Sequence, residues 1–92
     1  MPIAHFQDDD DAYLRWMDAH EPDGWVINRE RTATTGWRLH RAACWHLRHQ
    51  VGANVRWTHH YVKDCATAEA PLVAFARQRG AELVRCPRCL PD

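Results

Sequence analysis

Four cysteines in 92 residues, the last two as Cys86-Pro87-Arg88-Cys89, constrain this chain more than any other feature. A chain this short supports one hydrophobic core, and small cores are commonly reinforced by a metal, a disulfide or a partner. Cys44, Cys65, Cys86 and Cys89 supply enough thiolates for a tetrahedral structural zinc site, with the CxxC pair as a compact knuckle and the upstream ligands on two other elements. Zinc is therefore the expected cofactor. Four thiolates leave no open position for a catalytic water, so such a zinc is structural. His40, four residues before Cys44, is the substitute ligand if Cys44 turns into the core. Two alternatives stay open: paired disulfides in an oxidising compartment, or four reduced structural cysteines. A redox CxxC should open a helix after a strand within a larger α/β core, which this pair close to the last residue does not suggest.

Formal net charge is zero, but its distribution is not even. Residues 1–28 hold seven acids against Arg15 alone, whereas residues 29–63 hold seven basic residues against Glu30 alone. The middle segment can therefore form a basic face, which favours an anionic partner. No apolar run is long enough to cross a bilayer, and the acidic start is unlike a secretory signal. These features suggest a cytoplasmic protein with no membrane association.

The expected fold is a small zinc-stapled α+β domain, residues 1–92, with a short antiparallel sheet and two or three helices. Residues 1–10 read as a flexible acidic leader, with Asp10 capping a helix that presents Tyr13, Trp16, Met17 and His20 on one face. Residues 25–28 and 37–40 form a hairpin across a threonine- and arginine-rich loop. A second helix is expected over residues 41–50, a break at Gly52 and Asn54, and a strand over residues 55–62. Thr67 caps a last helix with Pro71 in its first turn; Gly80 ends it, and a short strand leads to the CxxC.

Basic and aromatic side chains interleave at Arg29, Arg31, Trp37, Arg38, Arg41, Arg56, Trp57, His59, His60 and Lys63, with Tyr61 among them. Gathered on one face, the cations would hold phosphates while Trp37 or Trp57 stacks on a base. The competing expectation for each tryptophan is a place in the core. His59, His60 and nearby Asp64 raise metal-dependent phosphodiester cleavage as a further reading, but neighbouring histidines on a strand point to opposite faces. A protein partner matched to the acidic and basic segments is the alternative to DNA.

Gly24-Trp25-Val26-Ile27-Asn28, Leu39-His40-Arg41-Ala42-Ala43-Cys44, Tyr61-Val62-Lys63-Asp64-Cys65 and Cys86-Pro87-Arg88-Cys89 together resemble small bacterial and phage domains of unassigned function. The succession is also similar to the amino-terminal modified-DNA-binding modules of McrA-type restriction endonucleases. That resemblance implies non-catalytic recognition of methylated or otherwise modified cytosine in duplex DNA. The chain has no HNH cleavage core, so the nuclease activity of those enzymes is not carried over.

Overall fold

Asp9 opens the first helix, α1 (Asp10–Ala19), by accepting a hydrogen bond from the Ala12 N–H at 3.2 Å. Asp10 and Asp11 then sit in the first turn, where the helix dipole favours negative charge. The cap is one residue earlier than expected because the Asp10 carboxylate serves another segment. It accepts the Trp57 and Thr58 backbone N–H groups at 3.0 and 2.9 Å and the Thr58 hydroxyl at 2.6 Å. The computed structural model describes residues 3–48 and 56–91.

Three helices and a five-stranded mixed sheet make up the α+β fold of the described residues. Strand β1 is Ala4–Phe6, β2 is Trp25–Glu30 and β3 is Trp37–Arg41. After the short helix α2 (Trp45–Arg48) come β4 (Tyr61–Ala66), helix α3 (Glu69–Gln78) and β5 (Leu83–Arg85). Their order across the sheet is β1-β4-β2-β3-β5. All neighbours are antiparallel except β3 and β5, which run parallel. The expected all-antiparallel sheet is corrected here: α3 carries the chain from β4 to the far edge, and a crossover of that kind leaves strands parallel.

Alternation along the strands sorts the interior into two layers. Val26 and Cys65 face α1, where they meet Tyr13, Met17, Ala42, Cys44, Leu47 and Cys86. Ile27, Leu39 and Trp37 face the other way, toward Leu72 and Ala76 of α3 and toward Leu90. Two close approaches fix the ends of this packing. A Cβ on Gly24 would lie 2.6 Å from the His20 carbonyl oxygen and 2.9 Å from Ala42 Cβ, so only glycine fits between α1 and the end of β3. Gly80, at φ 63°, ends α3 as expected: its N–H bonds the Arg77 carbonyl and the Ala81 N–H bonds that of Ala76.

Several boundaries differ from the sequence expectation. The supposed leader contains β1, which pairs with β4 through Ala4, His5 and Phe6. The last helix starts from Ala68, without a side-chain cap, rather than from Thr67, and Pro71 does lie in its first turn. Residues 56–60 are not strand; β4 begins at Tyr61. The Asp10 carboxylate and the Lys63 ammonium satisfy backbone groups of Trp57, Thr58 and Tyr61, so this stretch needs no sheet partner. The expected break at Gly52 and Asn54, Val55 of the expected strand and the end of the expected second helix lie outside the described residues.

Candidate metal centre

The end of β3 and the segment after β5 are brought side by side by the parallel pairing of Trp37, Arg38 and Leu39 with Leu83, Val84 and Arg85. The Cys86 N–H donates to the Leu39 carbonyl at 2.9 Å, which places Cys86 beside the neighbouring His40. From His40 the chain turns: the Ala42 N–H bonds the Gly24 carbonyl and the Cys44 N–H bonds the Arg41 carbonyl, both at 2.9 Å. That turn returns Cys44 toward β3. The knuckle closes when the Leu90 N–H bonds the Cys86 carbonyl at 3.0 Å.

His40, Cys44, Cys86 and Cys89 thus form one group whose ligand atoms all lie within 4.8 Å of one another. Cys44 Sγ and Cys86 Sγ are 3.8 Å apart. A zinc tetrahedron with Zn–S bonds of about 2.3 Å has an edge of about 3.8 Å, so this separation suits two ligands of one ion. His40 is 3% exposed, yet its Nδ1 has no hydrogen-bond partner. A buried, unpaired ring nitrogen is costly unless something binds it, and a metal ion would do so.

The electrostatics point the same way. Burial, reinforced by Arg38, His46 and Lys63, pushes the His40 pKa down to about 4, so the ring is the neutral imidazole that ligation requires. Burial works against a Cys86 thiolate, but the Cys89 and Arg88 backbone N–H groups and the neighbouring thiols outweigh it and lower the Cys86 pKa. Cys89 is pushed up to about 12 by burial and by Cys44 and Cys86, although the Arg41 N–H donates to its sulfur at 3.3 Å. Ionising one thiol therefore opposes ionising the next, and a divalent cation removes that conflict. One histidine and three cysteines fill a tetrahedral shell and leave no position for a reacting water, so an ion held here is structural.

Cys65 is outside this group. It lies fully buried on β4, between Val26 of β2 and Ala4 of β1. His40 pairs with Val26 from the opposite side. The two residues therefore share a row of the sheet with β2 between them, roughly 10 Å apart at two strand spacings. Burial and the Asp64 carboxylate push the Cys65 thiol up, which keeps it protonated and apolar in character. His40, expected only as a replacement for Cys44 on a shared helix face, instead joins Cys44 in the group, brought there by a strand end and a turn. We expect Cys65→Ala to retain one zinc per chain in native mass spectrometry and Cys89→Ser to lose it; loss of zinc from Cys65→Ala would contradict this ligand set.

The remaining sequence-selected residues are not gathered on one face. Arg29 and Arg41 lie on the α3 side, where their guanidinium groups each stand 4.6 Å from a ring centroid, over Trp37 and Trp25 respectively. Trp37 is 3% exposed and lies in the core, and the half-buried Trp57 packs against the core beside Tyr13. Lys63 is 1% exposed and donates to the Trp57 and Tyr61 carbonyls, and burial pulls its pKa down to about 8. Arg31, Arg56 and His59 converge on Asp8 of the acidic segment, and His60 meets the His59 ring edge-on. Arg38 stands exposed on the opposite sheet face. Asp8 and Asp18 of the acidic segment thus pair with Arg31, Arg56 and Arg48 of the basic one.

Sequence reasoning also missed a constellation around Asp64. Its side chain is 1% exposed, accepts from Arg29 Nε at 2.6 Å and lies 2.7 Å from His5 Nδ1. Asp64 is therefore not a neighbour of His59 and His60 in any shared ligand set among the described residues. The pairing of His5 with Asp64 depends on β1, and no short-range motif marks that strand. No helix of the described residues is long and apolar enough to cross a membrane. No family model matches the sequence, and no curated protein or solved structure is significantly similar to it.

Proposed function

We propose that this chain is a non-catalytic, zinc-stapled domain that binds DNA, with cytosine or a modified cytosine as the base it reads. The observation that supports this reading is a cavity of about 400 Å³ on the α1 side of the sheet, lined by Asn28, Gly36, Arg38, His40, His46 and Tyr61. Tyr61 is 52% exposed at its edge. Asn28 lines the cavity, and its side-chain amide supplies both a donor and an acceptor of the kind that reads a base edge such as that of cytosine. Arg38 and His46, both exposed, supply cationic or donor groups for phosphates beside a stacked or extruded base. Tyr61 replaces the core tryptophans as the stacking ring, and the zinc holds His40 and α2 as the rigid wall of the cavity.

The test is fluorescence anisotropy of zinc-loaded protein with duplexes containing cytosine or 5-methylcytosine, titrated with salt. Affinity should fall as salt rises, and Arg38→Ala and Tyr61→Ala should each weaken binding by about tenfold with zinc content unchanged. Absence of binding at low salt, or binding indifferent to both substitutions, would refute the proposal.

A second reading, a protein-interaction module, has its own support. Trp45 is 63% exposed beside a cleft of about 560 Å³ lined by Pro22, Arg41, Ala43, Cys44 and Arg88. Exposed tryptophan flanked by arginine is the composition of a binding hot spot. A stoichiometric protein partner released by Trp45→Ala would favour this reading.

A further inference from the structure

On the opposite face of the sheet, we propose a binding pocket for a terminal phosphate group carried on a small organic molecule. The pocket, about 420 Å³, lies between the edge of the sheet and α3. It is independent of the cavity around Arg38, because Asn28 and Arg29 are consecutive on β2 and point to opposite faces.

Three guanidinium groups and an imidazole line it: Arg29, Arg31, Arg79 and His5. Each is placed by a different constraint. Arg29 is 11% exposed, its Nε held by Asp64 and its plane set over Trp37, so its terminal nitrogens are presented in one orientation. Arg31 gives one terminal nitrogen to Asp8, while its Nε is buried with no partner. Arg79 follows α3, stacks at 4.9 Å on the Phe75 ring and has no ion pair among the described residues. Asp64 fixes the His5 ring through Nδ1 and leaves Nε2 on the pocket side, 3.4 Å from Gln7 Oε1.

The charge balance selects the ligand. Three guanidinium groups face two carboxylates, Asp64 and Asp8, so the pocket carries surplus positive charge before His5 is counted. The guanidinium groups of Arg29, Arg31 and Arg79 together offer charged donors that suit an anionic acceptor. Fork-shaped donors from several directions match the oxygens of a terminal phosphate, which spreads two charges over three of them. Ile3 and Phe75 supply an apolar wall for the organic portion. A phosphate monoester with an apolar or aromatic body fits this lining better than a chain of diesters, each of which offers a single charge.

The probes are inorganic phosphate, adenosine 5′-monophosphate and unphosphorylated adenosine, added to ¹⁵N-labelled, zinc-loaded full chain and followed by NMR. Saturable shifts are expected at His5, Arg31, Phe75 and Arg79 with both phosphates and not with adenosine. Arg79→Gln should weaken them by about tenfold, while the exposed Arg77→Gln, outside the pocket, leaves them unchanged. Because Arg79 is exposed and forms no ion pair among the described residues, its replacement keeps the fold, and the unshifted core resonances report that directly. Absence of saturable shifts at millimolar phosphate, or shifts indifferent to Arg79→Gln, would overturn the proposal. Competition by duplex DNA for the same residues would also overturn it, by making the pocket part of a DNA surface; DNA shifts confined to Arg38 and Tyr61 support two separate sites.

Discussion

Chelating the metal is expected to abolish the native fold or lower its melting temperature by tens of degrees, and stoichiometric zinc should restore it. The reason lies in what the four ligands join. His40 belongs to β3, Cys44 precedes α2, and Cys86 and Cys89 follow β5. Strand β5 is three residues long and pairs on one side only, with β3. Without the ion, its end keeps the Cys86 N–H bond to Leu39, the Arg85–Glu69 ion pair and the packing of Cys86 and Leu90, but three thiols are left crowded together and His40 keeps a buried unpaired nitrogen. Structural zinc sites contribute their binding free energy to folding, and the stability of a domain this size is only about 5–15 kcal/mol. A loss of even about 4 kcal/mol would lower the melting temperature by roughly 16–32 °C. Circular dichroism melts with and without chelator measure this, and coincident melts would contradict it.

Asp64→Asn is expected to be the most damaging single substitution away from the metal, at about 3–5 kcal/mol by urea denaturation. The carboxylate is 1% exposed and holds both Arg29 and His5, which come from two other strands. Removing its charge leaves the Arg29 guanidinium, 11% exposed, without a counter-ion in the layer under α3. Replacing both partners, as in Asp64→Asn with Arg29→Met, should recover part of the loss, because the unpaired buried charge is then gone. If the double variant is as unstable as the sum of the singles, the buried pair is not the cause.

The parts of the fold that local chemistry controls were legible. Trp25-Val26-Ile27-Asn28 and Trp37-Arg38-Leu39-His40 pair as the hairpin their composition suggests, and Gly80 terminates α3 in the left-handed conformation it permits. The CxxC marked the knuckle; His40 was expected only in place of Cys44 and on a shared helix face, whereas it lies on β3 and joins the group beside Cys44, in place of Cys65. What stayed hidden depends on distant partners. Strand β4 carries Lys63 and Asp64 into the middle of the sheet, a pattern that reads as surface. It is tolerated because His5, 59 residues away, and Arg29, 35 residues away, meet Asp64 there. Strand β1 is too short to show a period, and its pairing with β4 is its main support. Cys65 looked equivalent to the other thiols because a count of cysteines carries no register, and the register puts β2 between it and the centre. The basic segment looked like one face because the sequence does not reveal that Asp8, Asp64, Trp25 and Trp37 would take up its cations.

The ligand set is the claim on which the rest depends, and X-ray absorption at the zinc edge tests it most directly. Zinc-loaded protein should show three sulfurs at about 2.3 Å and one nitrogen at about 2.0–2.1 Å, with no further oxygen shell. The same spectrum should be given by Cys65→Ala. Four sulfurs, or a zinc-bound oxygen, would contradict a closed centre made by His40, Cys44, Cys86 and Cys89.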